Sequence, residues 1–108
     1  MSPQGALMPA SLALRSIVPE SLAADVRRLG ERYGIRNIRV FGSFARGEAE
    51  PESDLDLLVE YFPGQGGFAF VDFCDQVEEL LGRKVDVVTE KGLHPLIRDR
   101  VLAQAVPL

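Results

Sequence analysis

The chain has 108 residues, 46% hydrophobic and 26% charged, with a net charge of −4 and a pI near 4.9, which suits one soluble globular domain and leaves no length for a second. No run approaches the roughly 20 apolar residues of a membrane span, and the basic residues are scattered rather than gathered into a stripe with interleaved aromatics, which speaks against a nucleic-acid surface. Cys74 is the only cysteine, so an internal disulfide and a cysteine-rich zinc site are both excluded.

Residues 1–18 lack a basic start and are interrupted by Pro9, Ser11 and Arg15. They read as an arm ahead of a domain at 19–108 rather than as a secretory signal, and a cytoplasmic location is the default expectation. From Pro19 the spacing turns helical, with Leu22, Val26, Leu29 and Tyr33 on one face and Gly34 placed for a left-handed cap. Ile35 to Phe41 reads as a strand that stops at Gly42. Ser43 to Arg46 can make one helical turn before the polar loop 47–53. Strict alternation follows over Asp54 to Tyr61, with Leu55, Leu57, Val59 and Tyr61 on one face and Asp54, Asp56, Leu58 and Glu60 on the other.

After a glycine-rich loop at 63–67, Phe70, Phe73, Cys74, Val77, Leu80 and Leu81 form the apolar face of a second long helix closed by Gly82. Lys84 to Val88 is a third strand, with Val85 and Val87 toward the core and Asp86 away from it. Pro95 suits a first helical position in the tail, and His94 then stands at that helix start. Cys74, Tyr61 and Phe62 are expected to pack, and Lys84, Glu48, Glu50 and Glu52 to be solvated. The fold class is α/β (α+β): a small mixed sheet of three strands or more, packed with helices.

The chemistry concentrates at Gly42-Ser43 and, after ten intervening residues, Asp54-Leu55-Asp56. Residues two apart on a strand share a face, with Cα atoms about 6.5–7 Å apart, so two carboxylates there converge and repel. A divalent cation resolves that repulsion, and magnesium, a hard ion held by one or two carboxylates plus substrate phosphates, suits them. In a two-metal site the ions lie ~3.5–4 Å apart, one activating the attacking oxygen and one steadying the leaving group. Asp86 is the remaining strand aspartate and the candidate third ligand. Backbone amides after Gly42 can receive phosphate oxygens, glycine letting the ligand approach the chain, and Ser43 adds a hydroxyl. Arg46 can neutralise a phosphate, although an arginine in a polar turn is more often solvated. If these groups meet, the first and second strands run antiparallel and the third runs parallel to the second, with the intervening helix as crossover.

The run GSFARG at Gly42–Gly47, the SDLDL run at Ser53–Leu57 and the isolated Asp86 in a VDVV strand resemble the minimal nucleotidyltransferases of the DNA polymerase beta superfamily, from about Leu22 to the C-terminus. The resemblance implies that fold, with Gly42 and Ser43 holding the triphosphate. It implies Asp54 and Asp56 on both metals, and Asp86 on the catalytic one, where it helps activate the acceptor hydroxyl. Many small members resemble antitoxins paired with a HEPN-domain ribonuclease toxin, to which they transfer AMP from ATP at a tyrosine, and the tail at Leu93–Leu108 is similar to that subgroup. Larger relatives carry an extra helical domain for the base or acceptor; here a partner protein would supply that surface, or a second copy of the chain. Two other readings stand beside it: an antitoxin that neutralises its toxin by complex formation alone, and a transferase for a small molecule.

Overall fold

Glu20–Arg32 forms α1, whose stripe of Ala23, Val26 and Gly30 is buried against the sheet. Gly30 has a packing reason: a Cβ there would lie 2.7 Å from the backbone oxygen of Ile35, so only glycine lets the helix lie this close to the first strand. Gly34, at φ 73°, turns the chain as the sequence leads one to expect. The computed structural model describes residues 14–15, 17–50, 52–62 and 68–108.

Strand β1 is Ile35–Phe41, followed by the single-turn helix α2, Ser43–Arg46. Strand β2 is Leu55–Tyr61, helix α3 is Ala69–Leu81 and strand β3 is Val85–Thr89. A 3-10 turn at Glu90–Gly92 leads to α4, Pro95–Gln104, and the chain ends on a two-residue strand, β4, Val106–Pro107. The sheet order is β3-β2-β1-β4, with β1 antiparallel to both β2 and β4 and β2 parallel to β3. The expected three-strand arrangement is present, with α3 as the crossover. The added edge strand β4 is too short for periodicity to reveal, and it is held by its pairing with β1 and by Leu108 N donating to the Ile38 carbonyl at 3.0 Å.

Regular strand alternation breaks at one place in β1. The register slips between Arg36 and Arg39, and Asn37 takes a left-handed φ of 52°. This is a bulge, made tolerable by asparagine's ease in that region. Its consequence is that Ile35, Ile38 and Val40 all face the core. They meet Ala23 and Val26 of α1, Leu55, Leu57 and Val59 of β2, and Phe73 and Val77 of α3. The core also takes in Leu14 and Val18, so the packed unit begins ahead of residue 19, while residues 1–13 and 16 of the expected arm lie outside the described residues.

The opposite face of the sheet is covered too. Leu58, expected on the open face of β2, is buried, as is Val101 of α4. Arg39, which points away from the core side of β1, donates from Nη2 to Glu90 Oε2 at 2.6 Å, and Arg98 of α4 donates to the Glu90 carbonyl at 3.0 Å. These bonds hold the segment after β3 across that face. Cys74 is half-buried rather than fully in the core. Tyr61 packs edge-on against Phe70, ring centroids 5.4 Å apart, whereas Phe62 is half exposed with the Arg36 guanidinium 5.2 Å from its ring. No helix among the described residues is long and apolar enough to cross a membrane.

Candidate active site

Three strands bring the motif residues side by side. Phe41, the last residue of β1, is paired with Asp56 of β2, and Asp56 is paired with Asp86 of β3. Asp56 therefore occupies the middle of the cluster, with the Gly42 turn on one side and Asp86 on the other. Asp54 lies just ahead of β2, two residues along on the same face, and is exposed, as is Asp86. Leu55, between the two acids, is fully buried and anchors them.

Gly42 is required twice over. Its backbone sits at φ 75° and ψ −148°, a region nearly closed to other residues. A Cβ there would collide with Asp56 Oδ2 and come within 3.1 Å of Asp56 Cγ. The turn can approach the carboxylate only because position 42 has no side chain. Phe44 is buried beneath α2 and fastens it to the sheet, and Gly47, at φ 73°, ends it. The turn is further closed by Arg46 N donating to the Gly42 carbonyl at 3.0 Å and Glu48 N to the Ser43 carbonyl at 2.9 Å.

The Asp56 carboxyl is held above its usual pKa, first by burial and then by the charges of Asp86 and Asp54, with Arg46 acting in the opposite direction. Four of the expected site residues thus feel one another. Arg46 is exposed, and its Nε donates to Glu48 Oε1 at 2.8 Å, so Glu48 is the partner of a site residue as well as a loop acid. His94 acts as a cap, its Nδ1 accepting from Leu96 N at 3.1 Å. Lys84 is exposed, and its carbonyl accepts from Leu55 N at 3.0 Å.

Among the described residues no three His, Cys, Asp or Glu side chains are already drawn together around a metal-sized space. The donor chemistry nonetheless fits a hard divalent cation. Asp56 and Asp86 are in register, Asp54 shares their face, and burial and the neighbouring carboxylates disfavour the Asp56 charge, a penalty that a bound cation would offset. The sequence passes over one residue near this site, Arg83, which donates from Nη1 to the Ser53 carbonyl at 3.0 Å and lies over the Phe44 ring. Its position directly after the capping Gly82 is the only local signal, and that signal says nothing of where the side chain goes.

Comparisons with known proteins agree with this fold. A family model for the nucleotidyltransferase domain matches residues 22–107. The protein adenylyltransferase MntA of Thermococcus cleftensis is 40% identical over 85 residues, covering 79% of this chain and 86% of the relative. A solved structure named as a minimal nucleotidyltransferase superposes with a TM-score of 0.73 at 44% identity, covering 82% of this chain and 91% of the other. A toxin–antitoxin structure with AMP-PNP superposes with a TM-score of 0.65 at 20% identity, covering 79% and 70%, a likeness of fold alone. With its glycine turn and carboxylates carried on that fold, the chain belongs to the nucleotidyltransferase domain family.

Proposed function

We propose that the protein transfers AMP from ATP, with magnesium, to a hydroxyl of a partner HEPN-domain ribonuclease toxin, a tyrosine in this reading, and so acts as that toxin's antitoxin. The observation that carries the chemistry is the position of Asp56, flanked by the Gly42 turn and Asp86, with its charge disfavoured by burial and by the neighbouring carboxylates. A protein acceptor is supported by the 40% identical relative named as a protein adenylyltransferase.

In this reading the amides after Gly42 and the Ser43 hydroxyl hold the triphosphate, and Arg46, released from Glu48, meets a phosphate oxygen. Asp54, Asp56 and Asp86 would hold two magnesium ions, which when bound polarise the α-phosphate and offset charge on the leaving group. Asp86 lies beside the acceptor and draws its hydroxyl proton. The acceptor oxygen bonds to the α-phosphorus as the bond to the β-phosphate oxygen breaks, and pyrophosphate departs in line.

The test is to incubate the chain with magnesium, ATP labelled at the α-phosphate, and the product of the neighbouring gene. Label should appear on the partner and vanish with Asp54→Asn and Asp56→Asn together. Label that never reaches the partner, or that survives the double substitution, overturns the reading.

A further inference from the structure

The site is built on two arms that are separated along the chain. One is the Gly42 turn with α2; the other is the entry to β2, where Ser53 precedes Asp54. The polar loop 47–53 lies between them, closed on itself by Ser53 N to the Glu50 carbonyl at 2.9 Å and Glu50 N to Ser53 Oγ at 2.8 Å. Arg83 comes from a third element. Gly82, at φ 65°, ends α3, and the next residue sends its side chain back across the β2 entry. Its Nη1 donates to the Ser53 carbonyl at 3.0 Å, and its Cζ lies 5.1 Å from the centroid of the buried Phe44 ring. One planar cation therefore touches the residue after Ser43 and the residue before Asp54.

We propose that Arg83 is a positioning residue for nucleotidyl transfer, fixing the phosphate-binding turn against the Asp54–Asp56 carboxylates; this rests on the transfer reading above. A guanidinium is suited to the task because it donates along its edge while its face lies on an aromatic ring, and an ammonium cannot do both. Arg83 differs in this from Arg46, whose bond is to an exposed glutamate. Misplacement of catalytic groups by about 1 Å can cost on the order of 10²-fold in rate, so the effect belongs in kcat rather than in ATP binding.

Two readouts on the full chain test this. In metal-free protein, hydrogen exchange at Leu55 and Glu48, whose amides are bonded to the Lys84 and Ser43 carbonyls, should quicken by about tenfold in R83A, while Ala23, bonded to the Pro19 carbonyl, is unchanged. In the transfer assay R83A should lose roughly 10²-fold in kcat with the ATP KM altered by less than about threefold. R83K should recover little of the loss. F44L should give a smaller loss of the same kind, and R83A with F44L no more than R83A alone.

Exchange that quickens at Ala23 as much as at Leu55, with kcat per folded molecule intact, would make Arg83 merely structural and overturn the proposal. So would unchanged exchange at Leu55 and Glu48, or a rise in KM alone. If R83A does not fold, R83K and F44L carry both readouts. If the wild-type chain transfers no label, the transfer reading fails, and the exchange rates alone decide whether Arg83 holds the two arms.

Discussion

Asp56 and Asp86 face each other as partners across the parallel β2–β3 ladder. Neighbouring strands lie about 4.8 Å apart, so two carboxylates leave one face of the sheet at close range, with Asp54 beside them. The fold thereby concentrates negative charge at one end of the β2–β3 pair.

Asp56→Asn should abolish transfer by ~10³-fold or more, because several kcal/mol of charge stabilisation depends on the cluster. The same substitution should raise the Tm of the metal-free protein at pH 7, since it removes repulsion and a costly partial burial. Thermal unfolding with and without magnesium, beside the transfer assay, checks both directions. An Asp56→Asn protein less stable than wild type without metal would contradict this account.

The pH dependence has a definite sign. Because the folded-state pKa of Asp56 is raised, the folded protein binds more protons than the unfolded chain between the ordinary value of 3.8 and the raised one. This contribution to stability is present in full below the ordinary value and is lost as pH rises through the raised one. Urea unfolding of metal-free wild type and Asp56→Asn, compared across mildly acidic to neutral pH, should show the variant gaining on the wild type as pH rises. Excess magnesium should remove the wild type's disadvantage.

Gly42→Ala should be costly to both stability and activity. The backbone conformation alone accounts for about 1–3 kcal/mol, which for a domain of this size lowers Tm by roughly 4 °C or more. The added collision is with the Asp56 carboxylate. Combining Gly42→Ala with Asp56→Ala should therefore cost less stability than the two losses summed, as a double-mutant cycle of melting measurements would reveal.

The Cys74 thiol is pushed up to about 11, chiefly by burial and then by Asp75 and Glu78. It should alkylate slowly with iodoacetamide at pH 8 and speed up only as pH approaches the shifted value. Fast modification at pH 8 in folded protein would show that the thiol is neither covered nor charge-disfavoured as described.

Much of this was legible in the sequence because its causes are local. The bounds of β1 follow from an apolar, β-branched run ending at glycine, and the α3 face follows from 3.6-residue spacing closed by Gly82. The acid pair at the entry to β2 follows from two-residue alternation. The order of β1, β2 and β3 followed from one further condition, that the glycine turn and three acids meet. The bulge at Asn37 did not, because it depends on which residues of β2 stand opposite. Nor did β4, whose two residues become a strand only by pairing with β1.

The amino-acid sequence by itself determined the type of chemistry: a glycine-serine turn, two acids on one strand face and a third on a later strand. Tertiary structure decided what those residues mean to one another. Gly42 must lack a side chain because Asp56 stands against it, Asp56 is perturbed first by its burial and then by its ladder partner Asp86, and Arg83 spans two arms that are separated in the chain. Periodicity and turn chemistry act over a few residues, whereas charge repulsion and close approach depend on the strands that packing brings together.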